Sequence, residues 1–413
     1  MRRLLLLLTA LLLLPGLEQA SARASASVDG AARKPLLATR DIGPAAQLYF
    51  ADPISLRPLG ARSLRLGFHW GDFARSPDGS MLALSRNDAA ELRFVHLRGR
   101  LRFAGSMTFQ GSFVRLLAWP SAHRLLVLRD PAPQRVLAID PIAQKVLWQR
   151  SIGGSVLNVE RSRDLSVALI APSERIGPAT LITIGLDGSL RSVELDRIFA
   201  GFQRDASSSD PVAETRLPGF AVDPDGNRAF VNGDGNPVAQ VDLAAMSVTY
   251  HGPTRTLAKA VSGPQRQAIW LSNGMLAVVG SDSSVRRDPQ GNVSQAVTAS
   301  GLLLIDTRTW AARMLQEDAA GAMAIGGSLL AYGSSYDSAS RTRTGFGLTI
   351  YGLDGTRRVH LFGRTPIDSV EAQGGFGYVW LPDRAGHVVV IDPKSGRVLA
   401  NVTRPSIALL IRR

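Results

Sequence analysis

Beyond residue 33 the apolar positions come in short runs, and the runs repeat. Leu125-Leu126-Val127-Leu128-Arg129-Asp130 is followed by Val136-Leu137-Ala138-Ile139-Asp140-Pro141 and then Lys145-Val146-Leu147. Near the start, Leu36-Leu37-Ala38-Thr39-Arg40-Asp41 is followed by Gln47-Leu48-Tyr49-Phe50-Ala51-Asp52-Pro53 and then Arg57-Pro58-Leu59. Both read as strand, loop, strand, Asp-bearing turn, strand. Runs of four to eight residues rich in aliphatic side chains, bounded by Gly, Pro, Asp and Asn, predict strands. No segment after the first two dozen residues sustains a helical period. A small β-unit repeated along one chain implies an array, because a single unit cannot bury its apolar faces alone.

Each repeat carries two strand pairs. The first pair turns on motifs such as Phe73-Ala74-Arg75-Ser76-Pro77-Asp78-Gly79 and Phe220-Ala221-Val222-Asp223-Pro224-Asp225-Gly226. Pro presets φ and Gly supplies φ > 0, so Pro-Asp-Gly is a turn with a mechanism. The second pairs centre near Asp52, His96, Asp140, Gly185, Asp242, Asp306, Gly352 and Asp392. Most intervals are about 40 to 46 residues, the size of a four-stranded propeller blade. Two are longer, and their excess falls on polar stretches near 205–216 and 281–300 that read as loop insertions. A third such loop is expected near 334–344. The expected fold is therefore all-β, a single β-propeller over 33–413 with eight four-stranded blades. One C-terminal strand, Ser406 to Ile411, would complete three N-terminal strands and leave no open edge. Seven blades with a separate N-terminal hairpin is the alternative.

The first 24 residues have a different character. Met1-Arg2-Arg3 supplies positive charge, Leu4 to Leu14 is an apolar run, and Ala20-Ser21-Ala22 and Ala22-Arg23-Ala24 fit a small-x-small cleavage site. This reads as a cleaved export signal, too short for a spanning helix. The expected location is extracytoplasmic, secreted or in the cell envelope. The chain has no cysteine, so stability there must come from packing rather than disulfides.

The formal net charge is +13, of which Arg2, Arg3 and Arg23 belong to the leader. Lysine occurs only at 34, 145, 259 and 394, so the basic charge is almost all Arg. It is scattered rather than blocked, and no strip of alternating aromatic and basic residues suits single-stranded nucleic acid. Nucleic acid is not an expected partner. A protein, a cell-wall polymer or a small ligand is, and the protein is expected to be a monomer without a transmembrane segment.

The repeat resembles the extracytoplasmic β-propellers grouped as YVTN and quinoprotein-like (PQQ) repeats. The matching residues are Phe73 to Gly79, Leu303-Leu304-Ile305-Asp306-Thr307-Arg308-Thr309 and Val388-Val389-Val390-Ile391-Asp392-Pro393-Lys394-Ser395-Gly396. Leu137-Ala138-Ile139-Asp140-Pro141-Ile142-Ala143-Gln144-Lys145-Val146-Leu147-Trp148 is similar to the tryptophan-docking repeat of pyrroloquinoline-quinone dehydrogenases and related scaffolds. The resemblance implies that Trp148 packs against the neighbouring blade. Positions equivalent to Trp148 hold Met314, Val359 and Ala400, and the vicinal cysteines of the quinone enzymes cannot exist here.

Signals of chemistry are sparse. There is no Gly-x-Ser-x-Gly elbow, no phosphate-binding Walker loop and no His-Glu-x-x-His pair. No catalytic residue and no metal ligand is assigned. Asp223, Asp225, Asn227, Asn232, Asp234 and Asn236 offer oxygen ligands for Ca²⁺, but hairpins use the same residues as turn formers. Neither Ca²⁺ nor pyrroloquinoline quinone is an expected cofactor. His69, just ahead of an innermost strand, is placed near the channel mouth with Asp72 or Asp78 as its partner. Arg40, Arg86 and Arg129 close the second strand of three successive modules. They would lie side by side, either as an anion site or as a ladder with Asp41, Asp88 and Asp130 pinning blade to blade. The expected function is a non-enzymatic binding module or scaffold. The alternative is a quinoprotein-like oxidoreductase or propeller lyase with its site at the channel mouth.

Overall fold

The computed structural model describes residues 34–43, 45–111, 113–130, 134–162, 165–203, 214–233, 237–252, 264–287, 293–404 and 406–410. The leader and the tips at 204–213 and 288–292 lie outside the described residues. All the described residues belong to the unit Lys34–Arg413.

The described residues form strands and turns, with no helix. In chain order the strands are β1 (Leu36–Asp41), β2 (Ala46–Ala51), β3 (Pro58–Arg65), β4 (Trp70–Arg75), β5 (Met81–Arg86), β6 (Glu91–His96), β7 (Arg102–Thr108), β8 (Phe113–Ser121), β9 (Arg124–Asp130), β10 (Arg135–Asp140), β11 (Lys145–Ser151), β12 (Ser155–Ser162), β13 (Leu165–Ala171), β14 (Gly177–Gly185), β15 (Leu190–Gln203) and β16 (Glu214–Arg216). They continue as β17 (Gly219–Val222), β18 (Arg228–Asn232), β19 (Val238–Asp242), β20 (Ser247–His251), β21 (Pro264–Trp270), β22 (Met275–Arg287), β23 (Val293–Asp306), β24 (Ala312–Gln316), β25 (Gly321–Ile325), β26 (Ser328–Asp337), β27 (Thr342–Gly352), β28 (Arg357–Leu361), β29 (Ser369–Gln373), β30 (Phe376–Leu381), β31 (His387–Ile391), β32 (Val398–Thr403) and β33 (Ile407–Leu409).

All the ladders within the sheets are antiparallel, and the strands group into four-stranded blades. Blade 1 is β33-β1-β2-β3, with Ala38 opposite Leu409 and Arg40 opposite Ile407. Blades 2, 3, 5 and 8 are β4–β7, β8–β11, β17–β20 and β29–β32. Blade 4 is β12–β15 with the short β16 added. An eight-stranded sheet contains two such meanders, blade 6 (β21–β24) and blade 7 (β25–β28). They merge because β22–β23 and β26–β27 run past their own blades, and β23 pairs with β26 where Ala296 faces Asp337 and Val297 faces Tyr336.

The middle strands are buried on both faces, which is why Met81–Leu84 and Val388–Ile391 are unbroken apolar runs rather than alternating ones. Fourth strands such as β11 are largely exposed and carry polar residues. Eight buried clusters fill the seams, each drawn from two neighbouring blades. Leu37 and Leu48 meet Leu82, Leu84 and Val95 between blades 1 and 2. Tyr378 and Val388 meet Leu36 and Tyr49 between blades 8 and 1. The remaining six clusters fall one to each intervening seam.

The first strand of each blade lines a central channel. We call the face where these strands begin the upper face and the face where they end the lower face. Trp148 sits over the lower-face turn of the next blade. Its Nε1 donates to the Leu186 carbonyl at 3.4 Å, and a Cβ on Gly188 would come within 2.9 Å of the indole, so glycine is required there. Val359 makes the equivalent contact with Gly396.

Candidate functional site

The upper face collects the long segments. β22 and β23 extend beyond Asp282, which faces the first residue of β21, Pro264. β26 and β27 extend beyond Tyr332, which faces the first residue of β25, Gly321. The β15–β16 hairpin leaves blade 4 on the same side, past the pairing of Gly177 with Ala200. The polar stretches at 281–300 and 334–344, expected as loops, are largely strand, because each extension is paired along its hairpin and the two hairpins pair with each other.

The base of this four-stranded projection is held by a buried ion pair. Arg266 Nη2 lies 2.9 Å from Asp282 Oδ1, with both side chains about 1 % exposed. Arg266 also donates to the carbonyls of Gln265 and Ser281, and Ser300 Oγ donates to Asp282 Oδ2 at 2.8 Å. Hydrogen bonds to both partners offset the desolvation that such a pair otherwise suffers.

Of the residues singled out from sequence, the three arginines and His69 lie on this face. Arg40, Arg86 and Arg129 face Ile407, Trp70 and Val114, at the beginnings of β33, β4 and β8. Their contacts run within blades. Arg40 Nε donates to Gln47 Oε1 at 2.8 Å. Arg86 is bidentate to Asp88, at 2.8 Å from each oxygen, and donates to Glu91 at 3.1 Å. Those bonds to Asp88 hold its carboxyl below the usual carboxylate range, though partial burial opposes them. No hydrogen bond or ion pair is formed by the Arg129 side chain among the described residues.

Blades 1 and 2 are linked on this face by His69 and by Trp70, whose Nε1 donates to Thr39 Oγ1 at 3.1 Å. His69 Nδ1 lies 3.3 Å from Asp41 Oδ1. Asp72 is turned into the channel wall, where Oδ1 and Oδ2 accept the N–H groups of Phe73 and Leu116, each at 2.8 Å. Asp78 sits in the turn at the far end of β4, on the lower face. There the hydroxyls of Ser80 and Ser76 pull its pKa down to about 2.

The channel itself holds two adjoining cavities of about 850 and 770 Å³. Asn158, Val159, Glu160 and Glu371 line both. Glu371 accepts the Trp380 Nε1 proton at 3.3 Å. Glu160 forms no hydrogen bond or ion pair among the described residues, and burial alone pushes its carboxyl pKa up. Neither glutamate stood out in the sequence. The only signal is position: Glu160 follows the uncharged run Val156-Leu157-Asn158-Val159 on a first strand.

Among the described residues no three His, Asp or Glu side chains gather as metal ligands. Of the oxygen cluster weighed for Ca²⁺, Asp223 is engaged in its own turn. Its Oδ1 accepts the N–H groups of Asn227 and Arg228, and Arg228 Nε lies 3.2 Å from Oδ2. Residues 234–236 lie outside the described residues. No described helix is long and apolar enough to cross a membrane.

No family model and no curated protein matches the chain. Solved structures do. Dihydro-heme d1 dehydrogenase NirN in complex with DHE is 12 % identical, with 90 % of this chain and 74 % of that chain covered and a TM-score of 0.57. Apo AztD from Citrobacter koseri is 12 % identical, covers 91 % and 97 %, and has a TM-score of 0.49. A functionally unknown protein from Desulfotomaculum acetoxidans DSM 771 is 14 % identical, covers 91 % and 98 %, and has a TM-score of 0.46. At this identity the likeness to NirN is one of fold, and it agrees with the blades and seams described above: the chain is a β-propeller.

Proposed function

We propose that this propeller is an exported, non-enzymatic binding module that presents its upper face to a protein partner. One observation carries the reading. The extended hairpins at 281–300 and 334–344 and the β15–β16 extension lie on one face, and the first two are fused into a single four-stranded projection anchored by Arg266 and Asp282. Binding segments held on a rigid scaffold lose little conformational freedom on association. The leader-like first 24 residues support export. Within the propellers, the seating of Trp148 on Gly188 supports a place among the YVTN and quinoprotein-like repeats.

Pyrroloquinoline quinone fits the residues present poorly. The chain has no cysteine, and the wall carboxyl without a partner among the described residues, Glu160, would meet a ligand that is itself a tricarboxylate. No step is routed through it.

The test places a photo-crosslinking amino acid at Tyr336, exposed on the upper projection, and separately at Ile142, exposed in a lower-face turn. In intact cells a discrete protein adduct is expected from position 336 and not from 142. Adducts from 142 alone, or equal adducts from both, would overturn the reading.

A further inference from the structure

The channel wall is not a uniform polar lining. Three part-exposed tryptophans, Trp70, Trp270 and Trp380, line one cavity or the other, with the buried Trp119 behind the wall. The charged groups beside them are, with one exception, already engaged. Arg266 is held by Asp282, Asp72 accepts two backbone N–H groups, Glu371 accepts from Trp380, and Arg75 and Arg115 donate to the Gly79 and Val156 carbonyls, each at 3.5 Å.

The exception is Glu160. It lines both cavities, as Glu371 does, and nothing among the described residues neutralises it. A carboxylate taken partly out of water without a partner costs stability, and an apolar side chain at this strand position would remove that cost. A ligand bearing positive charge recovers it. Indole faces attract organic cations and offer apolar surface to the rest of such a ligand. A cavity of several hundred Å³ suits a molecule of this kind. A bare metal ion is a poorer match, since no three metal-ligating side chains converge among the described residues.

We propose that the central channel binds a small organic ammonium ligand, its cationic nitrogen paired with Glu160 and its apolar body against the channel tryptophans. This site is separate from the upper-face projection, so crosslinking at Tyr336 can fail while the channel still binds amines, and the converse.

The experiment titrates the mature chain with 2-phenylethylammonium by calorimetry and thermal shift. Its anionic counterpart 3-phenylpropionate, neutral 2-phenylethanol and Ca²⁺ serve as comparisons. A ligand of this size is expected to bind at about 10 mM or tighter. The ammonium compound should raise the melting temperature and the others should not. Glu160→Gln should weaken its binding roughly tenfold or more, the usual consequence of losing a charge-assisted hydrogen bond. Glu371→Gln should weaken it less, because that carboxyl already has Trp380. The melting temperature of unliganded Glu160→Gln should equal or exceed that of the parent, which separates lost binding from lost folding. Equal ammonium binding by Glu160→Gln overturns the proposal. So does binding of the anion or of Ca²⁺ as tight as that of the amine, or no binding of the amine at roughly 10 mM.

Discussion

The lower and upper faces are made by the same strands and obey different rules. On the lower face the turns between third and fourth strands are short, and in seven blades an aspartate caps its own turn. Asp52, Asp140, Asp187, Asp242, Asp306, Asp354 and Asp392 each accept the backbone N–H two residues on, at 2.8 to 3.1 Å. This is the Asx-turn, which satisfies a backbone donor without water. The same turns receive the neighbouring blade: Trp148 reaches Leu186, Arg191 reaches the Ala244 carbonyl at 2.7 Å, and Arg313 reaches the Asp354 carbonyl. Lower-face side chains are thus committed to holding blade against blade. On the upper face the connections lengthen, the hairpins project, and charged pairs such as His69–Asp41 and Arg86–Asp88 stand part-exposed at the rim. One face is given to closure, and the other carries the projection.

The contrast can be broken most severely where the ends of the chain meet. Deleting residues 407–413 removes β33 together with the buried Ile407, Leu409 and Leu410. At about 1.5–3 kcal/mol for each buried side chain, the loss should exceed about 5 kcal/mol, read as a collapse of the melting transition in calorimetry. The next largest effect lies at the root of the upper projection. Asp282→Ala leaves Arg266 charged, buried and without its carboxylate, at a cost of about 3–5 kcal/mol in denaturant unfolding. Shortening the projection above Asp282 should leave the transition within about 0.5 kcal/mol if that face is indeed free of scaffold duty.

A single lower-face cap is worth less. Asp140→Ala removes the acceptor for Ile142 and Ala143 and the contact with His123, and should cost about 1–2 kcal/mol. The smallest effect comes from the channel. Burial raises the Glu160 pKa above its ordinary value of about 4.5. The folded chain then holds that proton more tightly than the unfolded chain does. The associated stability is complete below about pH 4.5 and is lost as the pH climbs through the raised folded value. Glu160→Gln escapes the loss, so its stability relative to the parent should grow from acid to neutral pH. A flat difference in paired unfolding curves would show that the carboxyl is solvated after all.

Much of the scaffold was legible in the residues. Pro77-Asp78-Gly79 and Asp223-Pro224-Asp225-Gly226 mark turns because their φ preferences are local, and the apolar runs mark strands buried on both sides. Trp148 was legible as a contact with the next blade, since the repeat that carries it is local too. The upper projection was not: Ser281-Asp282-Ser283-Ser284 has no apolar alternation, and it is strand because it pairs with Ala296–Ala299 of β23, whose other edge meets β26 of the adjacent blade. The partner of His69 was sought nearby, at Asp72 or Asp78. The structure brings Asp41 to it instead, from another blade. Arg40, Arg86 and Arg129 were placed on the correct strand ends, but their partners are a matter of side-chain reach within a blade: Arg86 meets Asp88 and Glu91, whereas Arg40 meets the Gln47 amide.

The amino-acid order by itself determined the repeat, its turns and its all-β class, because these arise from neighbours a few residues apart. Only the assembled tertiary structure decided which polar groups were used up and which were left over. Asp72 and Glu160 are both acids on first strands; one is capped by Leu116 from the next blade and the other faces the channel with no partner among the described residues. That difference arises from long-range packing, which sets the distance between residues that no local pattern connects.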